Sequence, residues 1–270
     1  MSEVVTQSSV DELGRFRLDG RVAIVTGGTG GIGSRLCEAL SRVGARVVVH
    51  GRDESRAAAV VEQLRGEGAE AIGSVADLTV RADADRMVDE AMAAYGRVDV
   101  IVNTVGGGAG TALYPAEAYP EAEWDRILDL NLRSALLPTQ AAARAMIAGG
   151  EGGRVLHFSS VRGQLGIDNG FSAYVAAKGA LDALTRQQAT EWAKHGITVN
   201  TISPTFVATP QAASLLADEA FRAGLERRIP LHRIAETDDV VGATLLLCTD
   251  AAAFITGQIL TLDGGLTACQ

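Results

Sequence analysis

Tyr174 and Lys178 stand four positions apart in a chain that otherwise relies on arginine for positive charge. Of its 24 lysine and arginine residues, only Lys178 and Lys194 are lysines. Random placement of the same tyrosines and lysines would give this spacing only about 3% of the time. Residues four apart share one face of a helix, so the ammonium can lie beside the phenol. An adjacent cation favours the phenolate and lowers the pKa of tyrosine from about 10 toward the range useful for acid/base catalysis.

The spacing alone does not settle the role of the pair, because a core tyrosine beside a solvated lysine also fits it. The role of the pair therefore depends on the strands and helices that position it. Apolar, β-branched runs of strand length alternate with segments of helical periodicity. The predicted strands are 21–26, 45–50, 71–75, 98–103, 154–159, 197–202 and 258–262, and the predicted helices are 33–43, 55–65, 82–95, 123–148, 173–195 and 237–249. This alternation predicts an α/β, single-domain, Rossmann-type, doubly wound parallel sheet of about seven strands with helices on both faces.

The chain length suits one such domain, since it has 270 residues. We expect an N-terminal extension over residues 1–18, which should be flexible, followed by one dinucleotide-binding catalytic domain over residues 19–270. Within that domain, prolines bound an amphipathic segment over residues 211–228. This segment predicts a small substrate lid near residues 205–229.

Composition limits the class of partner. No apolar run approaches the roughly 18 residues of a membrane span, and the polar start of the chain does not resemble a secretory signal. The cytoplasm is therefore the expected location. A net charge of −9 opposes loose binding to nucleic acid or anionic membranes. The cysteines and histidines show no disulfide or metal-site spacing, so we expect no metal and a small-molecule substrate.

A glycine-rich loop indicates where a cofactor would bind. Residues 22–33 run from a buried strand through the glycines into the start of a helix. Glycines permit a tight turn and let the backbone approach a pyrophosphate, which the free amides and dipole of the helix N-terminus stabilise. Such turns also occur in α/β proteins that bind no nucleotide. Its position after the first strand of a repeating pattern nevertheless favours a dinucleotide.

The end of the second predicted strand indicates which dinucleotide is preferred. An acid there would accept hydrogen bonds from a free ribose 2′-hydroxyl, but Gly51 occupies that place. Arg52 follows it with a guanidinium able to hold a 2′-phosphate through two hydrogen bonds. NADP(H) is therefore favoured over NAD(H). The alternative is that Arg52 is a solvated loop residue and Asp53 only caps the next helix.

Eight short motifs follow one another along most of the chain. They are Thr26-Gly27-x-x-x-Gly31-Ile32-Gly33, Asp77-Leu78-Thr79, Asn103-x-x-Gly106, Asn131, Ser159-Ser160, Tyr174-x-x-x-Lys178, Asn200-x-x-x-Pro204 and Asp263-Gly264-Gly265. In identity, order and approximate spacing they resemble the short-chain dehydrogenase/reductase family over residues 18–265. The set is more specific than any one of its members.

The resemblance implies a catalytic set and a cofactor site. Tyr174 would be the general acid/base, Lys178 would lower its pKa and hold the nicotinamide ribose, and Ser160 would hydrogen-bond the substrate oxygen. Asn131 would position a water that relays protons from Lys178. The implied cofactor contacts are Gly27, Thr29, Gly31, Ile32, Gly33, Arg52, Asp77, Leu78, Asn103, Gly106, Tyr174, Lys178, Pro204, Thr205 and Val207. Simpler structural roles remain open, with Ser160 as a strand-end hydroxyl, Asn131 as a helix-backbone partner and Asp77 as a turn cap.

Three departures from the family pattern concern this site. Ser160 stands fourteen positions before Tyr174, where the family usually has thirteen, and the extra residue falls within 167–171. Thr104 replaces a second asparagine, so one amide is lost beside Asn103. Thr205 stands where the family has glycine, which adds a side chain near the expected nicotinamide carboxamide. These positions predict local changes in the cofactor pocket or in the floor of the active site.

The predicted function is NADP(H)-dependent interconversion of a carbonyl and a secondary alcohol. Residues 119–125 and 218–221 are similar to family members that oxidise gluconate or polyols, which favours a sugar acid or polyol as substrate. The alternative is a β-ketoacyl thioester reductase, which needs basic surface for an acyl carrier protein. The candidates for that surface are Arg133, Arg222, Arg227 and Arg228.

Two further implications concern chemistry and assembly. A non-catalytic cofactor-binding protein would have no need for Ser160, Tyr174 and Lys178 together, so we expect an enzyme. The resemblance also implies a homo-oligomer, either a tetramer or a dimer. The alanine-rich predicted helices at 123–148 and 173–195 could pack closely across its interface.

Overall fold

Seven parallel strands form a single sheet in the computed structural model, which describes residues 11–107, 109–168 and 170–268. The order across the sheet is β3-β2-β1-β4-β5-β6-β7. The strands are β1 (Val22–Thr26), β2 (Arg46–Gly51), β3 (Ala71–Val75), β4 (Val100–Asn103), β5 (Gly153–Phe158), β6 (Ile197–Pro204) and β7 (Ile259–Leu262). The predicted Rossmann-type sheet of seven strands is confirmed.

Helices connect the strands and cover both faces of the sheet. The α-helices in the described ranges are α1 (Gly31–Arg42), α2 (Glu54–Gly66), α3 (Arg81–Tyr95), α4 (Glu121–Leu128), α5 (Ser134–Gly149), α6 (Ser172–Trp192), α7 (Ala213–Leu216), α8 (Glu219–Arg228) and α9 (Val241–Cys248). Successive strand residues point to opposite faces, so Ile24 and Val25 belong to different apolar clusters. The sheet is therefore the middle layer of a three-layer domain.

The helix predicted over residues 123–148 is not continuous. A π-helical turn, Asp129–Arg133, separates α4 from α5. Pro138 lies in the first turns of α5 and cannot donate to the carbonyl of Ser134. The π turn carries Asn131, whose side chain is fully buried. Such turns occur often at functional sites.

The segment between β6 and α9 extends over the carboxyl edge of the sheet. Asp218 caps α8 by accepting hydrogen bonds from the backbone N–H of Ala220 at 2.9 Å and of Phe221 at 3.0 Å. A Cβ added to Gly31 would lie 2.9 Å from Pro210 Cδ. The segment that we predicted as a lid thus approaches the glycine-rich loop.

The packed domain begins before residue 19. Leu18 is fully buried in the core, and its backbone N–H donates to Val43 O at 2.7 Å. The first ten residues of the expected extension lie outside the described residues, so its flexibility stays a prediction. None of the helices in the described ranges is both long and apolar enough to cross a membrane.

Substitution of Ile101 tests the central packing. Its side chain is completely buried in β4, so Ile101→Ala should lower the free energy of unfolding by about 2–5 kcal/mol through lost burial and a residual cavity. Leu13→Ala is the matched control, because that leucine is 80% exposed. Urea denaturation monitored by circular dichroism would measure both effects. Equal stability of the two variants would contradict the assigned core.

Candidate active site

The chemistry-bearing residues gather where the carboxyl ends of β1, β4 and β5 meet the start of α6. The strand order reverses between β1 and β4, and in open α/β sheets ligands bind in the crevice beyond such a reversal. β4 ends at Asn103, β5 is followed by Ser159 and Ser160, and α6 carries Tyr174 and Lys178. The topology therefore brings the predicted catalytic residues to one edge of the sheet.

A short turn after β5 places Ser160 against α6. The Ser160 hydroxyl oxygen accepts a hydrogen bond from the backbone N–H of Arg162 at 3.1 Å. A Cβ added to Gly163 would lie 2.7 Å from Asp182 Oδ2 and 3.0 Å from Lys178 O. The turn can lie this close to α6 only because residue 163 has no side chain. The contact sets the distance between the serine and the helix that carries the tyrosine.

Tyr174 is half-buried, and the side chain of Ser160 lies beside its hydroxyl. Burial raises the pKa of the Tyr174 phenol, while the Ser160 side chain and the Arg162 guanidinium oppose that rise. The net direction is opposite to the lowering by Lys178 that we predicted. Lys178 Nζ lies 5.7 Å from the centre of the tyrosine ring and donates to Phe158 O at 2.9 Å. The neutral phenol is thus a proton donor at neutral pH.

Lys178 is almost completely buried, at 3% exposure. Loss of hydration lowers the pKa of its ammonium to about 8, and the carboxyl group of Asp182 opposes this shift. A lysine with that pKa exists in both protonation states within about one unit of pH 8. It can therefore accept or release a proton near physiological pH, as an arginine in the same position could not.

Asn131 organises the loop after β4. Its Nδ2 donates to Gly107 O and to Ile127 O, both at 3.0 Å, and its Oδ1 accepts from the Gly107 N–H at 2.9 Å. A Cβ added to Gly106 would lie 3.0 Å from Asn131 Oδ1 and 3.2 Å from Lys178 Nζ. Gly106 thus lies between the asparagine and the lysine. Through its bond to Ile127 O, Asn131 also has the helix-backbone role that the sequence left open. Positioning of a relay water stays a prediction.

The glycine-rich loop has the features of a phosphate site. Gly27 has a φ of +68°, and a Cβ added to Gly33 would overlap the Gly27 carbonyl. The N-cap of α1 is Gly30, and no side chain of the described residues caps that end. The first amides of α1 are thus available to an anion, beside a backbone surface free of Cβ atoms. These residues fit the pyrophosphate of a dinucleotide.

His50, for which the sequence predicts no role, supports this loop. The side chain is 2% exposed at the end of β2, and burial lowers the pKa of its imidazole. Its Nδ1 accepts from the Gly27 N–H at 3.1 Å, and its Nε2 lies 3.1 Å from Ala76 O. Both hydrogen bonds are made by the neutral ring with its proton on Nε2. A lone polar residue in the apolar run of β2 was the only available signal.

The end of β2 leaves no space for an acidic side chain at residue 51. A Cβ added to Gly51 would lie 2.6 Å from Thr29 Cγ2. Arg52 is exposed, and no carboxylate of the described residues lies within ion-pair distance of it. Asp53 accepts from the Arg56 N–H at 3.0 Å, which is the helix-capping role that we considered for it. The guanidinium of Arg52 remains available to a ligand.

The other expected cofactor contacts lie along the same edge. Asp77 Oδ1 accepts from Thr79 N and Oγ1 at 2.9 and 2.7 Å, so the turn-capping role is present. Asn103 Nδ2 donates to Thr139 Oγ1 at 2.8 Å. Four expected contacts remain. Leu78, after β3, and Val207 are buried. Pro204 is the last residue of β6, and the backbone N–H of Thr205 donates to Leu262 O at 3.1 Å.

No group of three or more His, Cys, Asp or Glu side chains that could hold a metal ion occurs in the ranges that the structure describes. Cys37 and Cys248 are buried, free thiols, and burial raises the pKa of each. Cys269 lies outside the described residues. The side chains that the structure brings together at this edge of the sheet include a phenol, an ammonium, a hydroxyl and an amide.

The buried ammonium predicts a pH dependence of stability. The unfolded chain holds the Lys178 proton up to its ordinary pKa of 10.5, whereas the folded chain loses it at about 8. Stability should therefore rise with pH across that interval, by up to about 3 kcal/mol. Denaturation of wild type and Lys178→Met at several pH values would isolate this term. Lys194→Met, which removes the other, exposed lysine, is the control, and a pH-independent difference for Lys178→Met would contradict the buried charge.

Known proteins resemble this chain over nearly its whole length. The family described as enoyl-(acyl carrier protein) reductase matches residues 27–267. A gluconate 5-dehydrogenase of Gluconobacter oxydans (strain 621H) is 34% identical over 93% of this chain and 96% of its own. A 5-keto-D-gluconate 5-reductase of Escherichia coli (strain K12) is 33% identical over 93% of this chain and 97% of its own.

The fold also matches a solved structure over nearly the whole chain. The crystal structure of a gluconate 5-dehydrogenase from Burkholderia cenocepacia J2315, in complex with NADP and tartrate, matches with a TM-score of 0.90 at 35% identity, covering 96% of this chain and 99% of that one. The sequence matches, the seven-stranded sheet and the order of the motifs all agree. The chain belongs to the short-chain dehydrogenase/reductase family, and it is an oxidoreductase that acts on CH–OH donors.

Proposed function

We propose that this protein interconverts a secondary alcohol and a carbonyl with NADP(H), with Tyr174 as general acid/base and a sugar acid as substrate. The observation that carries the catalytic part is the placement of Ser160 beside the Tyr174 phenol, one helical turn from a buried ammonium. A cofactor-binding protein without chemistry would have no need for this arrangement. The similarity to gluconate and ketogluconate enzymes supports the substrate class.

The mechanism follows from the protonation states of the site. When bound, NADP(H) supplies or accepts the hydride. Tyr174 gives its proton to the substrate oxygen in reduction and removes it in oxidation, while Ser160 donates a hydrogen bond to the same oxygen. Lys178, with a pKa of about 8, can restore the proton of the phenol. Asn131 holds the backbone at Gly107 and so keeps the floor beside Lys178 in place.

The cofactor preference rests on Gly51, Arg52 and Thr29. The Thr29 side chain occupies the space that an acidic side chain at residue 51 would need. Without that acid, the ribose 2′-hydroxyl loses its usual acceptor, and the free guanidinium of Arg52 favours a 2′-phosphate. A related gluconate 5-dehydrogenase binds NADP, which agrees with this assignment.

Reduction of a β-ketoacyl thioester is the second candidate, because the description of the matching family, enoyl-(acyl carrier protein) reductase, shares the carrier-protein substrate, although that enzyme reduces a C=C bond and not a carbonyl. Two of the four arginines considered for carrier-protein binding have intrahelical partners. Arg133 pairs with Asp129 at 2.8 Å, and Arg222 pairs with Glu226 at 2.9 Å. The basic surface is thus weaker than the sequence suggests, and the sugar-acid assignment is the better supported of the two.

Removal of the phenolic hydroxyl tests the catalytic assignment. Tyr174→Phe should lower kcat for ketogluconate reduction by about 10²- to 10⁴-fold, the range that general acid catalysis contributes, while NADPH binding stays within about twofold of wild type. Steady-state kinetics and fluorescence titration would measure the two effects. Tyr95→Phe removes a half-buried phenol at the end of α3 and is the control. Full activity of Tyr174→Phe would overturn the mechanism.

Loss of the Arg52 guanidinium tests the cofactor assignment. Arg52→Ala should raise the Kd for NADPH by about 10- to 100-fold, because a charge-assisted, two-point contact is lost, and should leave the Kd for NADH unchanged. Arg42→Ala is the control, since it removes an exposed arginine at the far end of α1. The assignment fails if wild-type protein binds NADH as tightly as NADPH and Arg52→Ala has no effect.

A further inference from the structure

Arg162 lies beside the candidate catalytic residues but has no part in the mechanism above. It follows Ser160 by two residues, and its backbone N–H donates to the Ser160 hydroxyl oxygen at 3.1 Å. Its guanidinium donates through Nη1 to Gly166 O at 3.1 Å, which fixes the direction of the side chain. The side chain is half-buried, and it is close enough to Tyr174 to lower the pKa of the phenol.

The charge of a second arginine, Arg228, acts on Arg162 from the segment between β6 and α9. Arg228 is in the last turn of α8, and its charge, together with burial, lowers the pKa of Arg162. In the part of the chain that the structure describes, neither arginine has a carboxylate within 4.0 Å, the distance that defines an ion pair. Arg162 is therefore close to Tyr174, the charge of Arg228 acts on it, and neither guanidinium is neutralised by a carboxylate in these ranges.

The usual structural roles explain only one of these charges. A basic residue in the last turn of a helix interacts favourably with the helix dipole, which accounts for Arg228 and for its neighbour Arg227. It does not account for Arg162, because partial burial of a guanidinium beside another cation is unfavourable. A bound anion would reverse that balance, and a guanidinium presents a planar pair of donors that matches a carboxylate.

We propose that Arg162 and Arg228 bind the carboxylate of the substrate, so that the enzyme selects hydroxy and keto acids over neutral polyols. This inference rests on the proposed function and makes it more specific. Because Arg162 adjoins Ser160, a carboxylate held by its guanidinium would orient the carbon chain of the acid relative to Ser160 and Tyr174. Arg228 would add its charge when the substrate lies beneath α8.

Gluconate and sorbitol provide the test, because they share the same chain of hydroxyl groups and differ in the terminal carboxylate. NADP reduction would be measured for each with wild type, Arg162→Gln and Arg228→Gln. We expect wild type to favour gluconate, and Arg162→Gln to raise its KM for gluconate by about 10- to 100-fold with kcat changed far less. Arg228→Gln should have a smaller effect in the same direction. KM for sorbitol should stay within about twofold of wild type in both variants.

Arg222→Gln is the matched control, because it removes an arginine of the same helix that is already paired with Glu226. The proposal is overturned if wild type does not distinguish gluconate from sorbitol, or if Arg162→Gln impairs both equally, as a merely structural support of Ser160 would. If neither compound is oxidised, calorimetric titration of gluconate into the NADPH-loaded enzyme tests whether the carboxylate binds. Absence of binding overturns the carboxylate site. Failure of the proposed function is a separate result, in which Tyr174→Phe keeps full activity.

Discussion

The burial of one ammonium group constrains the rest of the site. Lys178 is in α6 with almost no solvent contact, and its Nζ donates to the carbonyl of Phe158 at the end of β5. Burying a charge is costly unless it is hydrogen-bonded, and the remaining cost appears as a lowered pKa. The same burial that disfavours the charge thus makes this lysine able to exchange protons near neutral pH. The neighbouring elements must leave room for the ammonium without covering it with another side chain.

Gly106, Gly163 and the π turn are the ways in which the chain meets that requirement. A side chain at residue 106 would enter the space between Asn131 and Lys178, and one at residue 163 would collide with α6. The π turn places Asn131 so that its amide holds the backbone at Gly107 by two hydrogen bonds. Each feature weakens the local regularity of the chain. Together they keep the side chains of Asn131 and Ser160 close to the ammonium of Lys178.

The sheet and most helix positions followed from periodicity, because burial on both faces leaves apolar runs in strands such as β1 and β4. The break between α4 and α5 could not be predicted from periodicity, since a π turn changes the hydrogen bonding of the helix without changing which residues are apolar. His50 and Arg162 were missed for another reason. Each acts through a contact made by the tertiary fold, at Gly27 for the histidine and beside Tyr174 for the arginine. A single sequence carries no periodic signal for such contacts.

The proposed carboxylate site also bears on the direction of proton transfer. Arg162 is one of two groups that lower the pKa of the Tyr174 phenol, and Ser160 is the other. A substrate carboxylate bound to Arg162 would offset its positive charge, so the pKa of the phenol would rise when an acid binds. The protonated phenol is the form that reduction of a ketone requires. Because burial already keeps the phenol protonated at neutral pH, a bound keto acid would reinforce the protonation state needed for its own reduction rather than create it, whereas a neutral ketone would leave the guanidinium charge in place.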